Sequence, residues 1–155
     1  TVTGLYEAQY ASSRVLLITG QAETAFYGKG QGYVHEAEQQ VAMLRTVCRR
    51  VESPRHVDAL KPALEGLVRD LFTGRPAPGA IEVPIDLQYA ETERSVFAFT
   101  PPPPFAPDPV RIEQFAERLQ SARRRVIVAG GGVVAAGASE ALQMLAETLD
   151  VPVIT

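Results

Sequence analysis

The residues best placed to do chemistry lie in one glycine-rich stretch, Gly28-Lys29-Gly30-Gln31-Gly32, running into Tyr33, Val34, His35 and Glu36. An adjacent imidazole and carboxylate can exchange protons near neutral pH when burial or neighbours tune them. The stretch follows an apolar run at 15–18, and loops beyond the carboxyl ends of parallel strands are where α/β folds place ligands. By residue type alone, a solvated helix start explains the same pair, with Glu36 complementing the helix dipole. A second cluster, Gly130, Gly131 and Gly132, follows the run Val126-Ile127-Val128-Ala129 and precedes Val133-Val134-Ala135. Glycines between a strand and a helix leave backbone amides free to face a phosphate or sugar. Gly130, Gly132 and Ala135 fit the loose G-x-G-x-x-A form, but Thr155 stands where the ribose-holding acid belongs. A tight turn with close helix packing explains the glycines equally well. No lysine followed by serine or threonine comes after them, which excludes a Walker-type loop. Cys48 has no histidine beside it in sequence and reads as a small core residue.

Alternating strands and helices must position these residues. In residues 1–90 the pattern predicts a helix over 2–12, a strand at 15–18, a loop over 20–32, a helix over 36–44 and a weak strand at 47–51. Ser53 and Pro54 read as the start of a helix, with a capping serine and a first-turn proline. Leu60, Leu64, Leu67, Val68 and Leu71 recur at helical spacing, with Pro62 marking a bend or a later start. A strand is expected at 80–83, closed by Pro84. Residues 91–109 include Thr-Pro-Pro-Pro-Pro-Phe at 100–105 and read as an extended, stiff linker. Residues 110–155 repeat the grammar: helix 110–121, strand 125–129, glycine turn, helix 139–149, strand 151–155. Apolar runs of this length suit strands buried on both faces, so the fold class is α/β with parallel sheets flanked by helices.

Composition bounds the function. The 155 residues are 46% hydrophobic and 21% charged, which argues for a packed chain, and no apolar run is long enough to span a membrane. A formal charge of -3, from 15 basic and 18 acidic residues, lacks the basic excess expected of a nucleic-acid partner. One cysteine and two histidines exclude an intrachain disulfide and a cysteine/histidine zinc site. The cysteine usage points to the cytoplasm, and the expected metal ligands within the chain are none. Thr1 and Thr155 at the ends read as cuts through a larger architecture.

In order, TGLYEAQYASSRVLLITGQ, GYVHEAEQQVAMLRTVCRR, GRPAPGAIEVPIDLQ, the proline-rich linker and RRRVIVAGGGV resemble the thiamine-diphosphate enzymes of the acetolactate synthase (acetohydroxyacid synthase large subunit) group. The resemblance covers essentially the whole chain. It implies that residues 1–90 are the C-terminal half of a pyrimidine-binding domain, 91–109 a linker, and 110–155 the N-terminal part of a Rossmann-like central domain. It also implies a parent enzyme using thiamine diphosphate and magnesium, acting on a 2-oxo acid and assembled as a homodimer or homotetramer. The cofactor-activating glutamate and the magnesium motif of the group fall outside this segment, which alone is expected to be inactive.

The reaction implied is carboligation: a 2-oxo acid is decarboxylated and the resulting enamine is transferred to a second carbonyl. A decarboxylase or lyase of the same superfamily is the close alternative, and a non-catalytic nucleotide-binding or interaction module the alternative from another class. Val34-His35-Glu36 falls where the group commonly shows Phe-Gln-Glu, which implies that His35 faces the reacting centre. Gln21 matches a string that shapes the same region and is assigned to cofactor binding. Gly130, Gly131 and Gly132 match the turn that holds FAD in flavin-containing members. Arg49 stands where many relatives show lysine.

Overall fold

The computed structural model describes residues 1–93, 97–103 and 105–155. It forms two compact units, Thr1–Pro103 and Pro104–Thr155. Each is mixed α/β, with parallel strands flanked by helices.

In the first unit the order is α1 (Val2–Tyr10), β1 (Leu16–Gln21), α2 (Gln40–Leu44), β2 (Arg50–Glu52), α3 (Val57–Leu71), β3 (Gly79–Pro84) and α4 (Ile85–Tyr89). The three strands pair in parallel in the order β1-β3-β2, with Ile18 opposite Ile81, Glu52 opposite Ile81, and Gln21 opposite Pro84. As the central strand, β3 is almost wholly buried. Side chains alternate across a strand. Ala80 packs on one face with Leu5, Leu44, Val47 and Cys48. The opposite face receives α3, whose Leu67 and Leu71 are buried. Gly79 lets α3 approach closely there, since a Cβ would stand 3.1 Å from Leu67 Cδ2 and Leu67 would have to give by a few tenths of an ångström.

Local chemistry moves several boundaries from where periodicity places them. β1 continues past the apolar run to Gln21, since Gly20 and Gln21 pair with Val83 and Pro84. The helix expected over 36–44 shortens to α2, because His35 adopts a left-handed backbone and turns precede Gln40. The helix expected from Ser53 begins instead at Val57, with His56 at the N-cap. Ser53 cannot cap it, since its hydroxyl donates to Glu82 Oε1 at 2.8 Å. α3 runs through Pro62 as one element. Cys48 is buried in the core, outside β2. Arg49 secures the end of α3 through Asp70 Oδ2 at 2.8 Å.

Part of the expected linker lies in the first unit. Phe99 packs on Phe72 with ring centroids 4.9 Å apart, and Arg14 lies over the Phe72 ring, 5.0 Å from its centroid. Residues 94–96 and 104 of that expected linker fall outside the described residues.

In the second unit, α5 (Pro109–Ser121) starts with Asp108 accepting from Val110 N at 3.0 Å and proline in the first turn. β4 (Ile127–Val128), α6 (Gly131–Ala135), α7 (Ser139–Leu149) and β5 (Val153–Ile154) follow. β4 and β5 pair in parallel, Ile127 opposite Val153 and Val128 opposite Ile154. Both strands are shorter than the runs that predict them. Gly131 and Gly132 stand inside a short helix, with only Gly130 preceding it.

Candidate functional site

The carboxyl end of β1 delivers Gln21 to a buried position, and its side-chain amide is fully engaged. Nε2 donates to Ala37 O and to Glu82 Oε2, each at 3.1 Å. Oε1 accepts from Ala22 N at 2.8 Å and from Ala37 N at 3.2 Å. One side chain thus joins both ends of residues 22–37, which close as a compact Ω-type loop. Within the loop, Phe26 stacks on Tyr33 at 4.4 Å between centroids, and Gly28 N donates to Glu36 Oε1 at 2.8 Å. Gly28, Gly30 and Gly32 all take positive φ, the reason glycine recurs there. Tyr33 OH donates to Glu23 Oε1 at 3.4 Å, and desolvation followed by that carboxylate pushes the phenol above its ordinary value.

His35 is exposed and holds φ at 66°, a conformation that costs a non-glycine residue about 1 kcal/mol. Backbone strain of this kind concentrates at functional sites, where surrounding structure imposes it. Beside it, the carboxylate of Glu36 closes the turn by accepting from Gly28 N.

Beneath the loop lies Glu82 of β3, 0% exposed. Its Oε2 accepts from Gln21 Nε2 at 3.1 Å and Gln40 Nε2 at 2.8 Å. Its Oε1 accepts from Ser53 Oγ at 2.8 Å and faces Arg55 Nη2 at 3.4 Å. Arg55 in turn lies over the Tyr27 ring, 3.6 Å from its centroid. A buried carboxylate survives in a sheet centre only when both oxygens are satisfied, and here they are. Sequence reasoning missed Glu82. The signal was a single charge inside Ala80-Ile81-Val83, a run itself read as buried on both faces.

α4 fixes the loop from a third side. Thr24 Oγ1 donates to Asp86 Oδ2 at 2.5 Å and Thr24 N to Asp86 Oδ1 at 3.1 Å. Desolvation raises the Asp86 carboxyl, but these two bonds and the amides of Asp86 and Leu87 outweigh it and hold the group below its ordinary value.

The loop, β1 and α4 enclose a cleft of ≈ 560 Å³ at the carboxyl ends of β1 and β3. Gln21, Tyr33, Val34, His35, Gln40 and Gln88 line it. Two expected site residues, His35 and Gln21, are therefore brought together. Gln21 is committed to protein partners and shapes the wall, whereas His35 has an exposed ring able to carry a proton at the cleft surface.

The glycine cluster belongs to the other unit. Gly130 and Gly131 line a separate cleft of ≈ 430 Å³ with Val134, Ser139, Leu142 and Thr155. Gly132 is not on that lining. A Cβ at any of the three glycines would meet nothing within 4 Å, and none has a positive φ. Neither the turn nor close helix packing demands glycine, so the backbone is left bare beside an open, mostly apolar space. Among the described residues, no group of three His, Cys, Asp or Glu gathers to hold a metal ion.

Residues 112–155 match the family model described as thiamine pyrophosphate enzyme, central domain. Over 99% of its length the chain is 36% identical to glyoxylate carboligase of Escherichia coli O157:H7, covering 26% of that protein. It is 32% identical to the probable acetolactate synthase large subunit of Methanocaldococcus jannaschii, over 99% of this chain and 27% of that one. Among solved structures, the Rhodococcus jostii RHA1 thiamine diphosphate-dependent 4-hydroxybenzoylformate decarboxylase superposes with a TM-score of 0.83 at 21% identity, over 98% of this chain and 29% of that chain. The chain thus spans about a quarter of the length of these relatives. Residues 112–155 thus carry the central-domain match, and over nearly its whole length the chain is similar to enzymes of the thiamine-pyrophosphate group.

Proposed function

We propose that this chain forms one wall of the active site of a carboligase that uses thiamine diphosphate, decarboxylates a 2-oxo acid and joins the remainder to a second carbonyl compound, as an acetolactate synthase does. The observation that carries this reading is His35, presented by a strained loop at the carboxyl ends of parallel strands, in a cleft of ≈ 560 Å³. Identity to a carboligase and to an acetolactate synthase across nearly the whole chain supports it.

The described residues do not by themselves fit a magnesium diphosphate, because no acidic cluster forms and both oxygens of Glu82 are held by protein donors. What the chain supplies is substrate surface and proton handling. His35 is positioned to give a proton to a carbonyl oxygen and to take it back. Gln88 keeps its amide against the cleft wall by donating to Val83 O at 2.8 Å. The bare backbone at Gly130 and Gly131 fits a flat or sugar-bearing nucleotide such as FAD, held through main-chain amides and the Ser139 hydroxyl.

Stoichiometry tests the reading on the protein in the length the cell makes. With thiamine diphosphate, magnesium and pyruvate or glyoxylate, carboligation consumes two 2-oxo acids for each carbon dioxide released. One aldehyde per carbon dioxide, with no joined product, marks a simple decarboxylase and overturns it. The absorbance spectrum of the purified protein reports bound flavin.

A further inference from the structure

We propose that Glu82 is a positioning residue: its buried carboxylate holds the 22–37 loop closed from two directions and thereby fixes where His35 stands in the cleft. The inference rests on the functional reading only for His35's role; the clasp itself is a property of this chain and is tested without activity.

The two oxygens act on different parts of the loop. Oε2 receives the amides of Gln21 and Gln40, at 3.1 and 2.8 Å, and Gln21 in turn binds both ends of the loop at Ala22 and Ala37. Oε1 faces the Arg55 guanidinium at 3.4 Å, and that guanidinium covers the ring of Tyr27, at the middle of the loop. Every donor to Glu82 comes from an element other than its own strand: β1, α2 and the segment between β2 and α3. The carboxylate is therefore the point through which the sheet grips the loop. A side chain with two accepting oxygens suits the place, because four donors converge on it. An amide of the same shape must turn its NH2 toward one pair of donors and release that side.

The sequence supplies a probe of the closed state. Within residues 1–155 lysine stands at Lys29, in the loop, and at Lys61, in α3. The cut after Lys29 made by a lysine-specific endoprotease is followed by mass spectrometry of the peptide that ends at Lys29. Cleavage needs the loop to open, so its rate reads the population of the open state. The measurement compares the protein in the length the cell makes with its Glu82→Gln, Glu82→Ala and Arg55→Met variants, below the urea concentration at which each begins to unfold by circular dichroism.

The expected result is cleavage about tenfold faster in Glu82→Gln, and more in Glu82→Ala, as befits lost hydrogen bonds to a charged group. Arg55→Met, which cuts one limb, gives a smaller acceleration. The rates should be nearly independent of urea in that range, the signature of local opening, whereas a merely structural role would give the steep urea dependence of global unfolding. Wild-type rates in folded Glu82→Gln and Glu82→Ala overturn the proposal. So does loss of cooperative unfolding in Glu82→Gln, which would make the carboxylate a requirement of the sheet and not of the loop. A wild-type chain cut as fast as in denaturing urea overturns it as well. If carboligation fails while loop protection behaves as stated, the clasp stands and the functional reading falls.

Discussion

Gln21 holds both backbone groups of one residue, Ala37: its Nε2 donates to the carbonyl at 3.1 Å while its Oε1 accepts from the amide at 3.2 Å. A single strand-end side chain thereby closes the loop that carries His35. Replacing it by glutamate keeps the shape and removes the donor, leaving two carboxylates about as close as the 3.1 Å now separating Gln21 Nε2 from Glu82 Oε2. Two such groups cannot both stay ionised, so the acid introduced at position 21 titrates well above its ordinary range in the folded state. A carboxyl whose folded value is raised weakens the fold as pH climbs from the unfolded value toward the folded one. Gln21→Glu is expected to cost about 3 kcal/mol at pH 7 and distinctly less at pH 5. Urea unfolding at the two pH values checks this, and an equal deficit at both contradicts it.

Asp86 behaves in the opposite sense. Despite desolvation, its bonds from Thr24 and from the start of α4 hold it below its ordinary value of 3.8. Its contribution is complete above the unfolded value and is lost as pH falls through the lowered folded one. The urea midpoint of the wild type should therefore drop in that acid window, and Asp86→Asn should flatten that part of the profile. A profile unchanged by the substitution removes Asp86 from the loop's anchorage.

Cys48 is 4% exposed among Leu5, Leu44, Val47 and Ala80, and burial pushes its thiol up. Both effects suppress the reactive thiolate. Alkylation by iodoacetamide near neutral pH should run about a hundredfold or more slower in the folded chain than in urea. Comparable rates in the two conditions contradict a core role.

Much of this architecture is legible in the sequence, because hydrophobic periodicity reports on burial. Residues 139–149 read as a helix and form one with those bounds, and the run at 80–83 with Pro84 behind it is the centre of β3. The errors share a cause: side chains that form long-range hydrogen bonds. Ser53 has the type and spacing of a helix cap, but its hydroxyl is bound to Glu82, 29 residues on. Glu36 looks like a first-turn acid, yet its carboxylate closes a turn onto Gly28, and His35 before it takes a left-handed conformation. Local pattern cannot foresee such partners, since they are set by which strands become neighbours. His35 and Gln21 were visible as motif residues. Their shared cleft, and the carboxylate beneath it, required the β1-β3 register that aligns Gln21 with Pro84 and Thr19 with Glu82.

The central claim is that His35 handles protons at the reacting carbonyl, and product partition in His35→Gln tests it most directly. The variant restores the residue type of the acetolactate synthase group and keeps a polar side chain, but it cannot take up a proton. In the protein as the cell makes it, the ratio of joined product to aldehyde should change about fivefold or more, while apparent affinity for thiamine diphosphate stays within about twofold. An unchanged product ratio would contradict the account.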